Sequence, residues 1–551
     1  MGKTNRKKAQ PSGSVVSPET IAPSRWAQPW TVFLFLSLLA VLLYSNTFSA
    51  SFHFDDDYNI GDNPWIKNFS NLLDLSGSRY VGFLSFALNY HFGQLNVFWY
   101  HLVNLLIHIM NAFLVYSFVL LLLRIPQPPL TSDSSHLTNA SWIAFATALL
   151  FVVHPIQTEA VTYIVQRFTS LATLFYLLAV VLYLKWRLTA PESRSRSLWY
   201  AGALLSTILA MKTKEISFTL PLMLLLVEAV FFRFSTRKQR MALIPFLLTL
   251  LIIPLSHSGA IGEAEAGFAK GTTEISRLDY LLTQFRVIMT YLRLMVFPVH
   301  QNLDYDYPIS HSLLEPKVLF SFLILLALFA LSLYLLFIWP RTSHPFRVSV
   351  TASRLVAFGI LWFFLTLSIE SSIIPIRDVI FEHRLYLPSV GFLLAGSVAI
   401  LGLMHRWRGI SVIVICVLVV ILSVATYQRN LIWKDGLTLW SDVVQKSPNK
   451  ARGHHGLGVA YQNLGHLDEA IQEYKTALTL KPDYVEAHYY LGAVYRNLGR
   501  LEDAIQEYKA ALTLNPKDNK AYGNLGFIYL EQGRVSDALA AFKEQVPVKK
   551  D

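Results

Sequence analysis

GHLDEAIQEYKTALTLKPDYVEAHYYLGAVYRNLGRLEDAIQEYKAALTLNPKDNKAYGNLGFIYLEQGRVSDALAAF, residues 465–542, repeats itself every 34 residues. Gly465, Gly499 and Gly533 share a column, as do Ala470, Ala504 and Ala538. Tyr461, Tyr495 and Tyr529 keep the interval, with Leu457, Leu491 and Leu525, and Gly458, Gly492 and Gly526. Pro448, Pro482 and Pro516 punctuate the units. A 34-residue period with small residues at fixed places is the tetratricopeptide pattern, two antiparallel helices per unit stacked into an α-solenoid. The glycine ends the first helix, and the alanine five residues later starts the close contact made by the second. The register runs backwards as well: Trp440, Tyr474, Tyr508 and Phe542 are evenly spaced. A repeat domain is expected over 430–545, as a half repeat 436–450 and units 451–484, 485–518 and 519–545. Its groove positions are Arg452, Gln462, Asn463, Tyr489, Arg496 and Asn497. With almost no linker before it, the array is expected to be held semi-rigidly against what precedes.

Ahead of residue 430 the chain changes character. Of the 551 residues 53% are apolar and only 15% charged, too poor in charge for a soluble chain of this length. Apolar runs long enough to cross a bilayer lie near 30–48, 99–122, 141–155, 164–184, 197–212, 215–232, 242–256, 316–339, 353–369, 385–404 and 410–427. The expected fold is all-α: a polytopic domain of about eleven spans over 30–429, then the solenoid. The run at 281–297 carries Arg286 and Arg293, and two intramembrane arginines cost at least about 2.5–3.5 kcal/mol each; it is read as an amphipathic surface helix. A polar tail at 1–29 and a short one at 546–551 are expected to be disordered or free. Cys416, the single cysteine, excludes an intrachain disulfide.

The formal net charge of +11 is scattered between apolar runs rather than gathered into a nucleic-acid face, so no nucleic-acid partner is expected. With the N-terminus cytosolic, the positive-inside bias collects Lys185, Arg187, Arg194 and Arg196, then Arg233, Arg237, Lys238 and Arg240, then Arg341, Arg347 and Arg354, then Arg406 and Arg408 on the cytosolic side. The outer loop 49–98 and the repeats then share the extracytoplasmic side of an inner or endoplasmic reticulum membrane.

Four charged clusters fall on that side. Phe52-His53-Phe54-Asp55-Asp56-Asp57 opens the outer loop, which also holds Arg79. His154-Pro155-Ile156-Gln157-Thr158-Glu159 is followed by Arg167. Lys212, Lys214 and Glu215 sit between two runs, and Glu382-His383-Arg384-Leu385-Tyr386-Leu387-Pro388 closes the set. Charges beside hydrocarbon need partners or a water-filled cavity, so the four are expected to converge. Adjacent acids repel, which raises one pKa and suits a general base. Acids with several cations fit transfer from a phosphate-linked lipid. No Walker loop, paired-cysteine zinc spacing or HExxH helix is present, leaving hydride transfer and nucleotide hydrolysis without support.

The Phe52–Asp56 segment, LSFALNY at 84–90, Tyr100-His101-Leu102-Val103-Asn104, HPIQTEAV at 154–161, Lys214-Glu215 and EHRLYLP at 382–388 resemble one family: GT-C class membrane glycosyltransferases with tetratricopeptide repeats, the transmembrane-and-TPR O-mannosyltransferases and their bacterial relatives. The resemblance implies inverting transfer of mannose or a similar sugar from a polyprenyl phosphate to a protein Ser or Thr hydroxyl. The membrane lipids would carry the donor, and the repeats would bind the acceptor or a partner. Asp55 and Asp56 match the family's acidic pair, either of them the base. Arg384 and then Lys214 are expected at the donor phosphate, with Arg79, His154, Glu159, Arg167, Glu215 and Glu382 shaping the site. Some members of the class bind a divalent ion at the loop acids; no metal or cofactor is expected here. A non-catalytic scaffold and a polymerase or ligase of lipid-linked glycans are the competing readings.

Overall fold

The computed structural model describes residues 28–68, 71, 77, 79–125, 135–232, 236–256, 275–339, 350–372, 374–403 and 408–545. The expected tails, apart from residues 28 and 29, lie outside these, as do Arg233, Arg341, Arg347 and Arg406. Every regular element among the described residues is helical.

Among the described residues, seven helices are long and apolar enough to cross a membrane: Pro29–Thr47, Val97–Leu123, Ile164–Leu188, Glu215–Phe232, Arg237–Ser256, Pro316–Phe337 and Gly409–Ile432. An eighth span arises if the bent pair Ala140–Val153 and Pro155–Thr162 is counted as one. The other three runs expected to span are shorter helices, Ser195–Met211, Thr351–Leu367 and Pro388–Gly402. The chain is a multi-pass membrane protein; eleven full-length spans are not reached by length and composition.

The 56° bend falls at His154-Pro155, where proline lacks the N–H that would continue the helix. His154 Nδ1 accepts from the Ile156 N–H (3.1 Å), capping the new start. Elsewhere the bundle closes on small residues: a Cβ on Gly359 or Gly391 would run into the other's carbonyl, the close approach that membrane helices use in place of a hydrophobic driving force. The helix Arg277–Val296 buries Tyr280, Val287, Tyr291 and Leu294 on one face. Arg286 and Arg293 are satisfied by the irregular segment that follows, Arg286 on the Pro308 carbonyl and Ser310 Oγ and Arg293 on the Val299 carbonyl.

The repeats are helix pairs Ala451–Asn463 with Leu467–Leu480, Val485–Asn497 with Leu501–Leu514, and Asn519–Glu531 with Val535–Glu544, preceded by the lone helix Gly436–Lys446. Gly465, Gly499 and Gly533 have φ of +80°, +73° and +72°. At each, the next residue's N–H returns to a carbonyl five back, as His466 to Tyr461 (3.0 Å), the glycine-dependent helix stop. The even spacing of aromatics is explained by packing: Gly456 lies under the Trp440 ring, Gly458 under Tyr474, Gly492 under Tyr508 and Gly526 under Phe542.

The array is seated on the membrane bundle. One buried cluster joins Ile60, Ile66 and Phe86 of the outer loop, Tyr100, Tyr163 and Phe168 of the bundle, Trp433 just after the last membrane helix, and Trp440 and Leu457 of the first array helices. The outer loop and the repeats are therefore on one side of the bundle. A Gly456→Val change drives a side chain into Trp440 and should destabilise this seat by about 1–3 kcal/mol, the cost of overpacking. The check is a lower melting temperature of the detergent-solubilised protein.

Candidate active site

The outer loop turns sharply at Phe54, whose φ of +54° is a left-handed conformation that bulky residues seldom adopt and that costs about 1–3 kcal/mol. Rings hold it there: Tyr163 at 6.3 Å, Trp440 at 5.9 Å, and the Arg452 guanidinium 4.9 Å above the Phe54 ring. The turn sends the two neighbouring acids in different directions. Asp56 points inward, 1% exposed, and accepts from the His53 N–H (3.0 Å) and the Val165 N–H (2.7 Å). Burial raises its pKa most, and the two N–H groups offset part of that. Asp56, the alternative candidate for the base, thus joins the outer loop to the Ile164–Gln166 turn with both of its carboxylate oxygens.

Asp55 is exposed, and its backbone N–H donates to the Tyr163 hydroxyl (2.9 Å). Water reaches the carboxylate, yet protein crowds around it. That desolvation raises its pKa; Arg452 lowers it, Asp378 raises it, and Tyr163 and Arg79 lower it, with a net shift upward. Asp55 therefore lies within electrostatic reach of Arg79, Asp378 and Arg452, and that neighbourhood is the recess of the candidate site.

Several expected site residues are occupied by structural work. Arg167, fully buried, donates to Asn104 Oδ1 (2.6 Å), the Ser85 carbonyl (3.2 Å) and the Tyr100 carbonyl (3.0 Å), with Phe86 beneath it. His154 Nε2 bonds the Met295 carbonyl (3.1 Å). Glu159 accepts from the Glu382 and His383 N–H groups and pairs with His383 Nδ1 (2.6 Å). Glu382 in turn accepts from Gln301 Nε2 (2.6 Å), the Asn302 N–H (2.7 Å) and the Tyr305 hydroxyl (2.6 Å). Arg384, 4% exposed, donates to the Val379 and Asp378 carbonyls (3.1 and 2.7 Å). Its two Nη groups order the Asp378 segment, while its buried Nε has no hydrogen-bond partner among the described residues. Arg167, His154, Glu159 and Glu382 are each buried and held by these hydrogen bonds.

Two cations are better placed. Arg79, part exposed, pairs side-on with Glu215 (3.1 and 3.2 Å). Lys214 Nζ meets Glu370 (3.2 Å) and Thr169 Oγ1 (2.8 Å); burial lowers its pKa, Glu370 opposes that, and Arg79 nearby lowers it further. Glu370, Asp378, Asp304 and Tyr163 were invisible to motif reading. Glu370 and Asp378 lie in the irregular segment between Thr351–Leu367 and the EHRLYLP stretch, and Asp304 in the stretch after Arg277–Val296, where no pattern marks them. Among the described residues, no group of three or more His, Cys, Asp or Glu side chains converges to hold a metal ion.

Of the expected groove residues, Asn463 and Asn497 are exposed. Gln462 accepts from the Tyr474 hydroxyl (2.8 Å). Tyr489 and Arg496 meet the next unit through Asn524, and Arg496 also reaches Glu531 (2.8 Å). Arg452 is the correction: it turns away from the array and is bound by Asp304 and Asp378 of the membrane domain. The division between the two acids is testable. Asp56→Ala, which leaves two buried N–H groups without an acceptor, should cost about 2–4 kcal/mol, whereas Asp55→Asn should change the melting temperature of the purified protein by little.

Residues 455–519 and 494–546 match the tetratricopeptide-repeat family model. A protein O-mannosyl-transferase of Caenorhabditis elegans is 25% identical over 467 residues, covering 82% of this chain and 62% of that one. One from Drosophila melanogaster is 26% identical over 526 residues, covering 82% and 55%. Protein O-mannosyl-transferase TMTC2 of Homo sapiens is 37% identical over 195 residues, covering 32% and 22%. The chain thus spans roughly half to two-thirds the length of the first two relatives, and much less of the third. With its membrane helices and its repeats, the chain is similar over four-fifths of its length to the TMTC protein O-mannosyl-transferases.

Proposed function

We propose that the chain is a membrane glycosyltransferase that moves mannose or a similar sugar from a polyprenyl phosphate to a Ser or Thr hydroxyl of a protein. The observation that carries this reading is Asp55: an exposed carboxylate of raised pKa on a strained turn, in a recess with Arg79. The names of the relatives support the same chemistry.

In the proposed reaction the acceptor oxygen attacks the anomeric carbon from the face opposite the phosphate, and the bond from that carbon to the phosphate oxygen breaks. Asp55 takes the hydroxyl proton. The polyprenyl phosphate leaves with the bonding pair, its charge met by Arg79 and Lys214, which exchange part of their pairing with Glu215 and Glu370 for phosphate oxygens. One displacement inverts the anomeric centre.

Orientation follows from the helix Arg167–Leu188, which starts at the site with Arg167 and ends in Lys185 and Arg187. At 1.5 Å per residue its 22 residues carry the chain about 33 Å, a bilayer's hydrocarbon thickness. The positive-inside bias puts the basic end in the cytosol, hence Asp55 and the repeats outside.

The test is the purified full chain with labelled polyprenyl-phosphate mannose and acceptor peptides. Asp55→Asn should lower turnover by about 10²–10⁴-fold, the usual worth of a general base, with no loss of folding. Unchanged turnover would point to a scaffold, and product formed without peptide to a glycan polymerase. A base must be deprotonated to act, so activity should fall as pH drops through the raised pKa of Asp55. The acid limb of kcat/KM then lies above the range of an ordinary aspartate.

A further inference from the structure

Arg452 is the second residue of the first repeat helix, Ala451–Asn463, yet every partner of its guanidinium belongs to the membrane domain. Nε and Nη2 clasp Asp304 side-on (2.7 and 2.6 Å), and Nη2 and Nη1 reach Asp378 (2.7 and 3.3 Å). The plane rides 4.9 Å above Phe54, the residue before Asp55. Lys450 adds a weaker contact to Asp304 (3.5 Å). Three segments far apart in sequence, the Phe54 turn, the Asp304 stretch and the Asp378 stretch, thus meet on one side chain from the repeats. A planar fork can serve two carboxylates and a ring at once; an ammonium cannot.

We infer that Arg452 is a positioning residue for transfer: through it the repeat array holds the strained Phe54–Asp55 turn in place and balances the two carboxylates that stand beside the base. The inference rests on the proposed role of Asp55. Two consequences follow from geometry and charge. Without the guanidinium over its ring, the Phe54 turn loses one of the contacts that offset its left-handed backbone. Without its charge, Asp378 and Asp304 lose their principal cation and keep only the weaker compensation of Lys450 and, at Asp378, Arg377. The charged and titratable groups that bear on Asp55 are Arg452, Asp378, Tyr163 and Arg79 across the recess, and the adjacent Asp56 on its own turn. Loss of the nearest cation makes proton release from Asp55 harder, so the base should need a higher pH.

The experiment uses the full chain in nanodiscs with labelled polyprenyl-phosphate mannose and an acceptor peptide, reading the pH profile of kcat/KM beside the melting temperature. Arg452→Gln should lower kcat at least tenfold at neutral pH and move the acid limb upward by about one unit, the lower end of what a neighbouring opposite charge does to a carboxylate. Arg452→Lys should restore the limb, because it keeps the charge, but only part of kcat, because it loses the fork. Adding Asp378→Asn to Arg452→Gln should bring the limb back toward the parent position. A residue that merely stabilises the fold would lower the melting temperature and leave the limb where it was; that result overturns the inference. Should Arg452→Gln fail to fold, Asp378→Asn alone decides, since it keeps the Asp304 clasp: a limb shifted downward supports the inference, and an unmoved limb overturns it. Asp55→Asn in the same assay separates the two readings. Full turnover there removes the base and this inference with it, while loss there beside unmoved Arg452 and Asp378 variants removes only the inference.

Discussion

A carboxylate buried beside hydrocarbon must be met by donors, and in this chain the donors come from distant segments, so that each buried acid becomes a joint. Asp56 ties the outer loop to the start of the helix Arg167–Leu188. Glu159 ties the bent span to the turn at Glu382 and His383. Glu382 ties that turn to Gln301, Asn302 and Tyr305. The same stretch then hands over to the repeats: the Gln301 carbonyl accepts from Lys446 (2.7 Å), Asn302 Nδ2 donates to Ser447 Oγ (2.8 Å), and Asp304 pairs with Arg452. A second joint, Arg429 to Asp442 to Lys446, fixes the last membrane helix to the lone helix of the array. The path from bundle to solenoid is therefore a succession of acids, each satisfied by the element it locates.

Against that background Asp55 is distinguished by what it does not do. Its neighbour Asp56 spends both oxygens on backbone amides, while the Asp55 carboxylate keeps its exposure to water. Phe54, just ahead of both acids, adopts a left-handed backbone conformation that phenylalanine seldom takes, and strain of that kind persists where surrounding contacts over-determine it. Rings from the bundle and from the repeats supply those contacts. The position of the proposed base thus depends on both domains being in place.

The solenoid was legible because its packing rule is local: a glycine under an aromatic sixteen residues later recurs as two columns at a fixed interval. The bundle was legible as composition, though the short helices Thr351–Leu367 and Pro388–Gly402 show that an apolar run does not fix a span's length. The four charged motifs do come together, but their roles could not be read. Glu159 and His383 are partners across 224 positions, and Arg167 is consumed by carbonyls of two other helices. Periodicity and spacing carry no trace of such pairings. Arg452 was misplaced for the same reason: its repeat column says which helix carries it, and only the neighbouring domain says which way it turns.

The choice of charge for the seam has a physical consequence. An apolar joint of equal area would hold two domains together at least as well, since desolvation takes back much of what buried ion pairs contribute. What it lacks is direction. A guanidinium clasping two carboxylates, with a ring below it, is satisfied in one relative placement of three segments and disrupted by a shift of an ångström or two. For an enzyme of the kind proposed, an acceptor carried on the array must bring a hydroxyl within hydrogen-bonding reach of Asp55, and errors of about an ångström can cost two orders of magnitude in rate. A scaffold gains little from that exactness, whereas a transferase whose acceptor-binding module and base sit on different domains requires it.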